Sequence, residues 1–321
     1  MKKRTLLPLF GAMILLILDS RCAALSAQDA LMLCIQTLIP GLFPMFVISA
    51  MLVPHLSGIR IPGLNLLLGV PAGSEGFVLL GCAGGFPVGA ACIVQAVESG
   101  GLRREEARRM LGISSFCGPA FLFGIIGALF SFREAGLLFL IQLETAVAVA
   151  MFYSSPPVSS IQAQDMPPVS LNAALKRACA SLISVCAWVT LAGVASGFLR
   201  RWIGPLLPNF CSVILTGIME LTNGVFTLNG IEPTALRFVL CSGFVCFGGV
   251  SVLLQIGGLA AGVGIPISDC AAQKVLQGIL GVILAAGINI SGPLFLLIGL
   301  IPPVIKIAVE ISGRMVYNGR R

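Results

Sequence analysis

Stretches of about twenty apolar residues, each long enough to cross a bilayer, recur along this chain at roughly 6–25, 31–54, 112–130, 136–154, 174–199, 269–288 and 291–311. A soluble domain clothes the outer faces of its helices in charge, and about a quarter of its residues are charged. Here 10% of residues are charged and 57% are apolar, too little charge to cover such helices in water. The reading is an all-α polytopic membrane protein of the cell membrane. The 38 Gly and 19 Pro fit that class, because neighbouring helices re-satisfy backbone groups freed by a break.

The net charge of +7 reflects loop Lys and Arg beside an anionic leaflet. It shows no clustering of the kind nucleic acid needs, so the partner read from charge is the lipid bilayer. Eleven Cys are scattered through apolar runs with no CxxC pair, and His55 is the single histidine. They read as small buried thiols, not as metal ligands or disulfides, and no cofactor is expected. No GxxxxGK[ST] or HExxH occurs and one His leaves no hydrolytic triad, so the chain reads as a non-enzyme. Lys2-Lys3-Arg4 before an apolar run has the make-up of a signal peptide. In an otherwise membrane-embedded chain, a retained first span over 1–27 is favoured.

The Pro- and Ser-rich stretch from Ser155 to Ser170 is the one linker, and it divides the chain nearly in half. Two stretches, 75–99 and 234–263, are apolar but broken by central glycines. Two others, 56–70 and 203–230, are punctuated by Pro, Gly and Asn and are expected along the interface. This gives a first repeat over 28–155 with a hairpin at about 75–99, and a linker over 156–172. A second repeat follows over 173–312 with a hairpin at about 234–263, then a basic tail over 313–321. Phe77-Val78-Leu79 and Phe238-Val239-Leu240 open the broken segments, Phe86 then matches Phe247, and Gln95 and Gln255 align within one gap. If 203–230 does not cross, an odd number of spans separates the two hairpins, which then open to opposite faces. That is the inverted repeat of secondary transporters. Arg60, Arg103, Arg104, Arg108, Arg109, Lys176 and Arg177 share one side with the N-terminal Lys and Arg residues, which favours that side as cytoplasmic.

The first broken segment centres on Gly84-Gly85-Phe86-Pro87-Val88-Gly89. Pro87 removes a donor and the glycines permit reversal, so a re-entrant hairpin with Gly85, Phe86, Pro87 and Gly89 at its tip is expected. Helix packing through small residues is the alternative. Gly248, Gly249 and Ser251 would form the other tip, with Gln255 on the same helical face as Ser251. Ser114 and Ser115 precede Pro119, which breaks its span and leaves a half-helix N-terminus attractive to anions. Of the few ionisable residues in apolar runs, Glu220, with Thr222 and Asn223 following, is expected to act as a proton or cation carrier. Glu144 is read either in that role or paired with a loop Arg, Asp19 as interfacial, and Lys274 and Lys306 as snorkelling to the membrane rim.

Ile39-Pro40-Gly41-Leu42-Phe43-Pro44-Met45-Phe46, Gly84 to Ala90, Glu105 to Leu111, Gly118 to Gly124, Gly217 to Gly224, and Gly248 to Ser251 with Gln255 together resemble the YlbJ-like sporulation integral membrane proteins. That family carries a nucleoside-recognition or Gate domain, and the resemblance covers most of 30–290. More distantly, Gly243 to Gly258 looks like a hairpin of concentrative nucleoside transporters. The resemblance implies two inverted repeats, each with a re-entrant helical hairpin and a broken transmembrane helix. It further implies transport of dipicolinate, a small organic anion, across the membrane around the forespore by alternating access. A nucleoside or other small solute is the alternative cargo, and a non-transporting scaffold needed for spore formation is the alternative class. Coupling to protons or sodium and assembly as a homo-oligomer are left open.

Overall fold

The computed structural model describes residues 2–153 and 167–299. Most of the expected linker, most of the expected span at 291–311, Lys306 and the tail 313–321 lie outside these residues. Among the described residues all regular structure is helical, apart from one isolated bridge between Ile59 and Ser74.

Helix α1 (Lys2–Leu18) ends at Asp19, whose side chain accepts from the Cys22 N–H at 3.3 Å and starts the next helix. In α2 (Ser20–Leu56), Pro40, Pro44 and Pro54 cannot donate to the helical ladder. A π-turn at Cys34–Leu38 takes up the register just before the first of them. The short α3 (Leu64–Leu68) is held between the left-handed Gly63 and Gly69. Helices α4 (Glu75–Gly84) and α5 (Val88–Glu98) fold back on each other around Gly85-Phe86-Pro87. Next come α6 (Arg104–Ile113), a non-helical stretch Ser114–Gly118, and α7 (Pro119–Leu129). The long helices α8 (Phe132–Phe152) and α9 (Leu171–Leu206) start at serine caps: Ser131 accepts from Glu134 N–H, and Ser170 from Ala173 N–H.

Helices α10 (Asn209–Met219) and α11 (Leu221–Thr227) reverse at Glu220 into a second hairpin. Then α12 (Thr234–Phe247) and α13 (Gly249–Ala261) form one apolar helix interrupted at Gly248. Helix α14 (Ser268–Ser291) and the short α15 (Phe295–Gly299) close the described chain. Among the described residues, five helices, Ser20–Leu56, Phe132–Phe152, Leu171–Leu206, Thr234–Ala261 and Ser268–Ser291, are long and apolar enough to cross a membrane. Their outer faces expose large apolar side chains such as Ile183 and Ile290. The protein is a multi-pass membrane protein, as its composition requires.

The region read as a second hairpin, 234–263, is instead this interrupted helix. Gly248 and Gly249 both have φ of 87° and break the ladder, but different neighbours hold the two pieces. Piece α12 runs antiparallel to α14, with Ser242 Oγ donating to Gly281 O at 2.8 Å and Asn289 Nδ2 to Ala235 O at 2.9 Å. Piece α13 lies against α9, where a Cβ on Gly258 would strike the Trp188 ring. The reversal lies in 203–230, read above as interfacial: a Cβ on Gly224 would land on the Gly217 Cα, so the two arms meet backbone to backbone. The short match of Phe77 and Phe86 with Phe238 and Phe247 therefore joins a hairpin to an interrupted helix, not two equivalent elements. Either side of the linker, the order is the same: a long helix, a hairpin, an interrupted helix and a long helix.

Buried apolar residues form two clusters. One gathers α2, the first hairpin, α6, α9 and α13; the other gathers α7, α8, α11, α12 and α14. Phe86, at the tip of the first hairpin, packs against both.

Candidate functional site at the hairpin tips and helix breaks

The hairpin arms approach closely because their contact residues lack side chains. Gly81 and Gly89 face each other, and the Ser114 carbonyl lies over both; a Cβ at either would strike that oxygen. Further along, a Cβ on Gly85 would sit 2.6 Å from the Gly118 Cα, so the first tip rests on the first break. A Cβ on Gly249 would sit 3.3 Å from Leu221 N and 3.5 Å from the Glu220 Cα, so the second break rests on the second tip. Gly248 brings the second break against the Phe86 ring, 3.0 Å from its would-be Cβ. Two tips and two breaks thus form one continuous cluster inside the membrane domain.

Breaking a helix in hydrocarbon strands backbone polar groups that must find partners. At Ser114–Gly118 those partners come from α8 and α14. Gln142 holds Cys117 from both sides, its Oε1 accepting from Cys117 N at 3.0 Å and its Nε2 donating to Cys117 O at 2.9 Å. Lys274 Nζ donates to Ser115 O at 3.0 Å and to Gln277 Oε1 at 2.7 Å, and it lies 4.9 Å from the Phe86 ring centroid. Gln277 Nε2 donates to Gly112 O and Gln273 Nε2 to Arg109 O, both at 3.1 Å. The Ser114 and Ser115 hydroxyls turn back onto α6, donating to Met110 O at 2.7 Å and Leu111 O at 2.6 Å. In this geometry they close the C-terminal end of α6.

Lys274 does not snorkel to the rim, as its position near a helix end suggests. It is 1% exposed, and among the described residues no carboxylate forms an ion pair with it. The helix begins at Ser268, and its first turns lie against α6, where the break takes up the ammonium. Gln142, Gln273 and Gln277 escaped the sequence reading, and Lys274 entered it only as a rim residue. Their signal was there: Gln273, Lys274 and Gln277 fall on one face of an otherwise apolar helix, at i, i+1 and i+4.

Of the other expected site residues, Gly85, Phe86, Pro87, Gly248, Gly249 and Glu220 meet in the cluster, and Gly89 lies beside it under the Ser114 carbonyl. Glu220 caps its own hairpin, with Oε1 accepting from Thr222 N at 3.0 Å and Oε2 from Asn223 N at 2.7 Å. Asn223 contributes that backbone N–H. Ser251 and Gln255 bond to each other, Nε2 to Oγ at 3.2 Å, within α13. Glu144 is buried, and its Oε1 has no hydrogen-bond partner. The cysteines are free thiols, Cys117 and Cys246 among the buried ones. No family model matches the chain, and neither does any curated protein or solved structure.

Proposed function

We propose that the chain is an alternating-access transporter of a small organic anion, with Lys274 as the charge that receives it. The observation that carries this reading is a buried ammonium whose partners among the described residues are neutral, at the crossing of a hairpin tip and a helix break. Holding an unpaired charge in a membrane interior costs several kcal/mol, and an incoming anion offsets that cost. The half-helix starting at Pro119 adds a positive dipole end to the same cluster. The resemblance to the sporulation membrane proteins names dipicolinate as the cargo, and a planar aromatic dianion suits a site built from an ammonium, the Phe86 ring and backbone donors.

In this account the two halves are inverted repeats and both hairpins are re-entrant. The ion pairs support it. Glu98–Arg177 and Asp269–Arg108 join element ends at one face, while Glu134–Arg237 and Asp19–Arg201 join them at the other. The first hairpin has its base at the former face and the second at the latter. The face with Arg103, Arg104, Arg108, Arg109 and Arg177 is then cytoplasmic. A non-transporting scaffold is favoured by one contrary observation: Lys274, Gln142 and Gln277 already bond the break, as a structural staple would. Flux of labelled dipicolinate into proteoliposomes decides between them. Saturable uptake supports transport; folded protein that moves neither an aromatic dianion nor a nucleoside supports the scaffold.

A further inference from the structure

A cavity of about 320 Å³ lies between α2, α5, α9 and α13, away from the tips and breaks. Its size suits a small ligand, yet its lining is unusual for the interior of a membrane domain. Ser49, only 2% exposed, stands in its wall with its hydroxyl buried beside the Cys92 thiol. Gln95 lines it from α5, its amide nitrogen donating to Ala50 O at 2.8 Å. Ser181 and Ser184 add hydroxyls from α9. Polar side chains gathered in this way are costly in an apolar interior unless they are solvated or paired, so this lining is made for something polar.

The mouth carries charge. Arg177 Nη1 and Glu98 Oε2 pair at 2.5 Å, with both side chains nearly half exposed. From Glu98 the cavity follows α5 inward to Ala91, about 10 Å at 1.5 Å per residue. Ala91 lies one helical turn from Pro87 and the Phe86 tip. We propose that this cavity is an aqueous vestibule for a small organic anion, whose charged group meets Arg177 at the mouth and whose polar substituents meet Ser49, Gln95 and Ser181 inside. The Glu98–Arg177 pair closes it, and the solute opens it by taking Glu98's place on the guanidinium. This proposal rests on the transport reading, and it adds a first binding position on the cytoplasmic side, short of Lys274.

Thiol modification in the detergent-solubilised full chain tests it without any flux. Ser181→Cys and Ser184→Cys variants are treated with an anionic methanethiosulfonate (sulfonatoethyl) or a cationic one (trimethylammonioethyl), and modified peptides are quantified by mass spectrometry. The expected result is modification at both positions, faster with the anionic reagent. Glu98→Gln should raise the anionic rate about threefold, and Arg177→Gln should lower it about as much, as one unit charge near the mouth implies. Lack of modification at both Ser181→Cys and Ser184→Cys by either reagent would overturn the vestibule. Equal rates for the two reagents, unchanged by Arg177→Gln, would overturn its anion preference. With two positions on α9, a failure of one variant to fold leaves the test intact. Labelling as expected without flux would remove the transport reading and leave the cavity.

Discussion

The first hairpin offers the sharpest test of packing, because one backbone oxygen lies over two glycines. A Cβ at Gly81 would meet the Ser114 carbonyl oxygen, then its carbon and the Gly89 Cα, each at 3.1 Å. A Cβ at Gly89 would meet the same oxygen, and the Gly81 Cα at 2.9 Å. Every obstacle is backbone, so no side chain can swing aside; the arms or the break must move. Overpacking typically costs about 1–3 kcal/mol, and rigid surroundings put Gly81→Ala at the upper end or beyond. Helical propensity returns at most about 1 kcal/mol. The control is Gly136→Ala in α8, where nothing lies within 4 Å of the new Cβ and propensity alone acts, so its midpoint should rise slightly. Thermal unfolding in detergent, followed by size-exclusion chromatography, should show Gly81→Ala and Gly89→Ala several degrees below wild type. The double variant should lose less than the sum, because both substitutions displace the same carbonyl. If Gly81→Ala matched Gly136→Ala in stability, the close approach of hairpin and break would be wrong.

Three further substitutions and labellings follow from the same cluster. Gln142→Leu leaves the Cys117 N–H and C=O both without partners in an apolar setting, at about 1–3 kcal/mol each; a melting curve in detergent should show a larger loss than Gln142→Glu, which keeps an acceptor for the N–H. Glu220→Ala removes the cap of α11 and should cost about 0.5–2 kcal/mol by the same assay, while Glu220→Gln retains one acceptor and costs less. Cysteines placed one at a time at the exposed Arg104 and Asn229, beside the bases of the two hairpins, in a background with the exposed Cys179 and Cys211 replaced, should react with an impermeant maleimide from opposite faces of sealed vesicles; labelling of both from one face would end the inverted-repeat reading.

Much of the architecture was legible in the residues themselves. Long apolar runs dictate spans because nothing else satisfies their backbone in lipid, and Gly85-Phe86-Pro87 advertises a reversal through the two residue types that permit one. Pro119 likewise announces the first break. The second half was harder for a physical reason. Its reversal uses no Pro and no left-handed Gly, only one extended residue, Glu220, with its carboxylate capping the following helix. In sequence this resembles a lone buried acid. The conspicuous glycines, Gly248 and Gly249, mark an interruption, and whether a helix bends or folds back there is decided by α14 and α9, far away in the chain. The site residues Gln142 and Lys274 were hidden for the same reason. Each is read by the break it satisfies, 25 and 159 residues away: the polar face of α14 is a local pattern, but the partner it serves is not.

The account rests on Lys274 as a charge kept for cargo, and one paired measurement separates that from a staple. In Lys274→Met, Ser115 O and Gln277 Oε1 lose a donor at about 1–3 kcal/mol each, while removal of a buried unpaired charge returns several kcal/mol. Stability should therefore hold or rise. Dipicolinate flux in proteoliposomes, measured beside the melting temperature of the same preparation, should fall to background with the melting temperature unchanged or higher. Flux at the wild-type rate in Lys274→Met, or a marked loss of stability with flux per folded molecule intact, would contradict the account.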